Sequence, residues 1–555
     1  MRDSIAIVAA LLMVPAGAAA QVHPAAHDHP QARPSPHDAA AMDRMPVERL
    51  GSVRFETSCV PAVHAAFDRA VALMHSFQFG RAIAGYRGVL ATDPGCAMAY
   101  WGIALSSWGN PFAGFKSAAQ IRQGLEAADA GRAAAPKTRR ERDYIEAVAL
   151  LYTNAERTGQ EARLLTYEAA MAKLAAAYPR DSEASIFYAL ALAAAADPAD
   201  KSYAKQLKAG AILERLFVRY PDHPGLAHYI IHAYDDPALA SRAADAARRY
   251  GKIAPSTPHA LHMPSHTFTR IGDWQASIDT NLASAASARA AGQPADELHA
   301  SDYLVYAYLQ TGQDAAAKQL VDSAAQVFAH FDPAAATGAA PVSSAYFARA
   351  AIPARYALER RDWAAAAKLE PVASKFPYAD AITWFARGLG AAHLGDSTAA
   401  GAAIAALDAI HATLTKLGET YWAGQIDIQR RGVAATLALA QGDSVGALAG
   451  MRVAADLEDQ SELSSVTPGP LMPAREMLGE MLLERNRAAE AGAAFEASLV
   501  QQPNRFWSIY GAAEAAEAAG KPAVARRYYR KLLALAARAD QPGRPALSAA
   551  RAAAR

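Results

Sequence analysis

The 555 residues predict an all-α protein, a superhelical solenoid of stacked helix pairs. Three observations predict it. Alanine dominates an apolar fraction of 52%, which favours helices by intrinsic propensity and disfavours a sheet built from β-branched residues. From Val53 onward, helix-length apolar patterns alternate with short breaks containing Gly or Pro. The breaks recur: Asn486 and Gly520, Arg361 and Gly395, and Pro221 and Pro255 are each 34 residues apart. A heptad coiled coil would not carry such regular breaks. The formal net charge of +1 supplies no global field for nucleic acid or anionic lipid, so neither is expected as a partner. No membrane span is expected once the N-terminal leader is removed.

The chain opens with a secretory signal. Arg2 supplies a basic start, Ile5 to Val14 form an apolar run too short to cross a bilayer, and Ala18-Ala19-Ala20 offers a small-residue cleavage pattern. Cleavage after Ala20 would give a periplasmic or secreted protein beginning at Gln21. Residues 21–52, rich in His, Pro and Ala, read as a disordered leader. His23, His27, His29 and His37 there either scavenge a borderline cation or lie in a solvated linker. In an oxidising compartment the only two cysteines, Cys59 and Cys96, are expected to pair, two buried thiols being the alternative.

Residues 53–535 carry the repeats. The segment ending at Pro503 places Ala491, Phe495 and Ser498 at a small–aromatic–small spacing, and the next places Ala525, Tyr529 and Leu532 in the same slots. A unit closing on Pro94 and turns at Gly272-Asp273, Thr311-Gly312 and Gln441-Gly442-Asp443 continue the series. A 34-residue period with Ala, an aromatic and a terminal Pro in fixed slots resembles the tetratricopeptide repeat family. The resemblance implies a right-handed superhelix whose concave surface, lined by the first helix of each pair, binds a protein or peptide. Insertions near 106–140 and 455–474 depart from the period, and 536–555 is expected to be a flexible tail. The 455–474 loop and AMAYWGIALSSWGNPF resemble segments of exported bacterial repeat proteins, a resemblance that brings no activity with it.

Histidines carry the chemistry. His228 and His232 are four apart and share a helix face, as do His262 and His266. Shifting the first pair by 34 residues gives the second, so both occupy the same concave slots on adjacent helices about 10 Å apart. His259 lies three residues before His262, and Asp235 three beyond His232. After a six-residue insertion, Asp302 falls in the slot of His262, and His299 in that of His259. Imidazoles with a carboxylate suit zinc, copper, iron or nickel rather than magnesium or calcium. The expected metal ligands are therefore His228, His232, His262 and His266, with His259, Asp235 and Asp302 as further candidates. HYIIH lacks the glutamate of a zincin, so hydrolysis would need Asp235, Asp236 or Asp302 as base, and enzymatic use stays open. The competing reading is a metal-free interaction scaffold in which Tyr229, Arg270, His299 and Tyr306 contact a partner in the groove. Simple packing of the histidines is a third. His75 and His393 also face the concavity by slot, but they are remote in sequence and are left unassigned. Ser202 and Lys205 fit S-x-x-K by chance alone, and no phosphate loop or dinucleotide fingerprint is present.

Overall fold

The computed structural model describes residues 48–555 except Phe115, Pro198, Ala199, Ala336, Glu462, Leu463 and Ser465. Residues 1–47, which hold the expected signal sequence and most of the expected leader, lie outside the described residues. The described chain is helical throughout, with no strand, and is an α-solenoid of helix pairs.

The pairs follow the chain. They begin with His64–His75/Phe79–Thr92, Ala97–Trp108/Ala118–Ala133, Arg139–Ala149/Gln160–Ala177 and Ser182–Ala194/Ala204–Arg219. Next come Pro224–Ala233/Ala244–Ile253, then Pro258–His262 and Pro264–Arg270 with Trp274–Ala290, and Pro294–Gln310/Asp314–Ala329. The C-terminal half adds Val342–Glu359/Trp363–Ala367, Pro377–His393/Ser397–Leu417, Thr420–Ala440/Ser444–Gln460, Ala474–Glu484/Ala488–Gln501 and Phe506–Ala518/Pro522–Leu535. Each helix packs on its neighbours along the chain, as a repeat array requires. The recurrent turns have a local cause. Gly272, Gly395 and Gly442 stand at φ +70°, +75° and +89°, where a side chain is strained. The following Asp273, Asp396 and Asp443 then cap the next helix by accepting from the N–H of Ala276, Ala399 and Gly446. The small–aromatic–small slots are core: Gly479 and Gly511 approach the Phe495 ring so closely that a Cβ would stand 2.7 and 2.3 Å from its Cζ.

The groove expected on the concave side is filled by the chain itself. Arg270 donates to the carbonyl of Pro468, Trp274 to that of Asn504, and Arg355 to Thr467 Oγ1 and the Gly469 carbonyl. Gln310 accepts from the Phe506 N–H, and Gln293 bonds Gln78 across 215 residues. The 455–474 insertion is thus drawn inward, against helices nearly 200 positions away in sequence. Helix Pro224–Ala233 is buried at every residue, packed among His64–His75, Ser182–Ala194, Ala204–Arg219 and Ala244–Ile253.

Two further expectations meet the structure here. Part of the tail 536–555, expected to be flexible, forms the helix Pro545–Ala553. It buries Leu547 and Ala550, and Arg544 just before it pairs with Asp314 at 2.6 Å. The reason is amphipathicity: the last repeat has an open apolar face, and these residues cover it. Helix Ser397–Leu417 is long and apolar enough by composition to cross a membrane. Its apolarity is mostly alanine, and it packs as the second helix of its pair between Pro377–His393 and Thr420–Ala440.

Cys59 and Cys96 form a disulfide with 4.9 Å between Cα atoms. It ties the segment before the first helix to the start of the third, at the end of the array that lacks a neighbour. Closing a loop of 37 residues should contribute about 3–4 kcal/mol through the unfolded chain. Cys59→Ser/Cys96→Ser is expected to lower the denaturation midpoint accordingly. A midpoint equal to wild type would refute this.

A buried histidine cluster as candidate metal centre

Helix Pro224–Ala233 starts on Pro224, whose missing N–H costs nothing at a first turn, and carries His228 and His232 inward. One repeat later the equivalent helix is interrupted at Pro264, giving Pro258–His262 and Pro264–Arg270, yet His262 and His266 keep their shared face. Helix Pro294–Gln310 adds His299. With His259 these are six imidazoles, none more than 9% exposed.

They sort into two trios. In each of them, His228/His232/His259 and His262/His266/His299, one ring nitrogen per residue lies within 4.8 Å of the other two. His228 Nε2 faces His259 Nε2 at 3.1 Å, and His262 Nε2 faces His266 Nε2 at 3.0 Å. The trios adjoin, with ring centroids 6.3 Å apart for His259 and His262 and 6.4 Å for His232 and His266. The remote nitrogens are held from outside. His228 Nδ1 donates to the His75 carbonyl at 2.6 Å, His262 Nδ1 to Asn281 Oδ1 at 2.7 Å, and His266 Nδ1 to Asp235 Oδ2 at 2.8 Å. The Asn281 amide is itself oriented, because its Nδ2 donates to the Ser277 carbonyl. Partners of this kind set tautomer and ring direction around metals. Aromatic rings wall the cluster: Phe112 stacks on His232 at 4.2 Å, Phe77 on His259 at 5.4 Å and Tyr303 on His266 at 5.0 Å. Phe112 comes from the loop between Ala97–Trp108 and Ala118–Ala133.

Burial favours the neutral form of five of these imidazoles, His228, His232, His259, His262 and His299. Burial, then neighbouring histidines, pushes His228 and His299 down to about 3 and holds His259 and His232 well below the usual histidine range. Burial also lowers His262. Burial acts to raise Asp235, but Arg270, with Nε 3.1 Å away, and His266 outweigh it and hold the carboxyl down.

The structure thus brings His228, His232, His259, His262 and His266 together and adds His299, which the slot arithmetic placed in the groove rather than among the ligands. Asp235 stands behind His266 as its hydrogen-bond partner. Asp302 is turned away into a buried ion pair with Arg355 at 2.8 Å and belongs to neither trio; the guanidinium above it offers a stronger partner than a neutral ring. Tyr229, Arg270 and Tyr306 are enclosed at 1, 2 and 0% exposure, so they are not open groove contacts. Sequence reasoning also missed a neighbouring set, in which Glu183 accepts from His75 at 3.0 Å and His223 at 2.9 Å. His75 is adjacent to the cluster through its carbonyl, a contact across 153 residues that no local spacing announces.

Fold and cluster together define a tetratricopeptide-like α-solenoid whose closed interior is lined by histidine. No family model matches the chain, and no curated protein matches its sequence. Among solved structures it is similar to the human IFIT1 dimer with m7Gppp-AAAA, at 12% identity and a TM-score of 0.36, over 76% of this chain and 87% of that one. The IFIT1 dimer with PPP-AAAA gives 11% and 0.35, over 86% and 92%. A Naa15/Naa10 complex bound to HypK-THB gives 12% and 0.24, over 86% and 71%. At these values the likenesses carry no argument about what this chain binds.

Proposed function

We propose that this is an exported helical-repeat protein that holds a transition metal in its histidine cluster. One observation carries the reading. The Nδ1 atoms of His262 and His266 must each bear the proton, because their partners are an amide oxygen and a carboxylate that only accept. Their Nε2 atoms therefore present lone pair to lone pair at 3.0 Å, in a site with 3% and 1% exposure. Two buried acceptors facing each other repel unless a cation lies against both. An added proton on His266 would have only Asp235 as counter-charge, which Arg270 already engages, whereas zinc, copper, iron or nickel accepts these donors directly. His232 Nε2, buried and without a hydrogen-bond partner, supports the same conclusion.

Export is proposed on the leader ending at Ala20, with the Cys59–Cys96 bridge as the second support. A protein or peptide partner, of the kind repeat proteins of this class bind, would have to use solvent-facing helices, since the interior beside the cluster is occupied. The test is metal content after purification from the exported fraction. Wild type is expected to carry stoichiometric transition metal, and His262→Ala/His266→Ala to carry clearly less, with mature chains starting at Gln21. Metal retained at wild-type level by the double variant, or wild type that takes up none on loading, overturns the assignment.

A further inference from the structure

The two trios are copies of one another. His228 and His232 shifted by 34 give His262 and His266, and His259 shifted by 40, the repeat plus its six-residue insertion, gives His299. Each trio is therefore built by the same rule: two histidines four apart at one first-helix position, which in the second trio is broken between His262 and His266, and a third from the next first helix. Each has three imidazoles with mutually converging nitrogens, the number a metal centre needs while keeping a further position open. A single ion cannot use all six, because metal–imidazole bonds of about 2.0–2.1 Å do not reach across both trios. Charge narrows the choice. The donor set is wholly neutral, and the one carboxylate behind it, Asp235, is already paired with Arg270. Two divalent ions would bring four positive charges into this enclosure, whereas two copper(I) ions bring two. Imidazole is among the donors that suit copper.

We infer that the cluster is a dinuclear copper site, one ion on His228/His232/His259 and one on His262/His266/His299, with the open positions of the two ions turned toward each other for one small bridging ligand. This rests on the metal-binding reading above and adds number, identity and pairing to it. Repeat symmetry explains the placement of the trios. Ring separations of 6.3 and 6.4 Å set the trios side by side, as a bridged pair of ions requires. Phe77, Phe112 and Tyr303 wall the pair from the remaining core.

The experiment is an anaerobic titration of the metal-stripped full chain with copper(I) against a competing chelator, followed by oxidation and spin counting. Wild type is expected to bind two copper ions per chain. His299→Gln and His259→Gln are each expected to bind one. The oxidised wild type is expected to show far fewer unpaired spins than its copper content, because bridged ions couple, and added azide is expected to change its spectrum. The spin count uses wild type alone, so it decides the matter even if a variant misfolds. One copper per chain, lost in both variants, refutes the pair while leaving a metal site. Two coppers with a full spin count refute the pairing. Stoichiometric zinc with no copper uptake refutes the identity, and no uptake of any metal removes the underlying reading itself.

Discussion

Arg505→Met is expected to cost about 3–5 kcal/mol of stability, the range for removing one partner from a buried charge network. The guanidinium bonds Glu476 twice, at 2.7 and 3.0 Å, and meets Glu359 at 2.6 Å, with all three side chains at 0 or 1% exposure. It also donates to the Tyr306 hydroxyl at 3.2 Å. Glu359 ends one helix and Glu476 begins another, so Arg505 joins elements more than 100 residues apart. Without it two carboxylates remain in the core. Burial raises Glu476, while Arg505, the larger of the opposing charges, and Arg361 hold it below the usual carboxylate range. Arg505→Lys should recover only part, since an ammonium cannot make the paired bonds to Glu476. Denaturant melts of wild type and both variants supply the check. A loss under about 1 kcal/mol for Arg505→Met would show that the network does not hold the superhelix closed.

Stability is expected to fall with rising pH in a manner that Asp296→Asn removes. Asp296 is buried at 5% exposure, and its Oδ1 accepts from the Ala339 and Ala340 N–H at 3.2 and 3.3 Å, while Oδ2 has no partner. Burial pushes its pKa up to about 7 from 3.8, the backbone bonds opposing only in part. The native state then holds a proton that the unfolded chain has released, so the contribution is complete below about pH 4 and lost as pH rises through about 7. At about 1.4 kcal/mol per unit, the difference between variant and wild type should grow in favour of Asn by at most about 4 kcal/mol between pH 4 and 8. Comparing the two proteins at each pH cancels the other titrating groups. A difference that does not change with pH would refute the shift.

Much of the fold was legible in the sequence because it is local. Alanine content, Gly–Asp turns and the slots of Phe495 and Tyr529 each act within one repeat or between neighbours. The in-phase histidines were legible for the same reason: two pairs 34 residues apart must fall on adjacent helices. Membership of the trios was less so. The spacing sets His299 one repeat on from His259 without showing that it completes a set, and Asp302 fits a ligand slot in the sequence while its partner Arg355 lies 53 residues away.

The sequence by itself therefore determined the helices, their pairing, the register of the histidines and the availability of Cys59 and Cys96 to each other. Only the tertiary structure decided that the concave interior closes on residues 467–470 and 504–506, that Arg270 and Tyr306 are enclosed, and that six ring nitrogens converge in two trios. The physical reason is that a solenoid's path is the sum of small rotations between successive repeats. Each rotation depends on side-chain packing and on the length of the connections between helices, such as those at 109–117 and 461–473. Periodicity shows which helices are neighbours along the chain, whereas contacts across the superhelix appear only after many such rotations have accumulated.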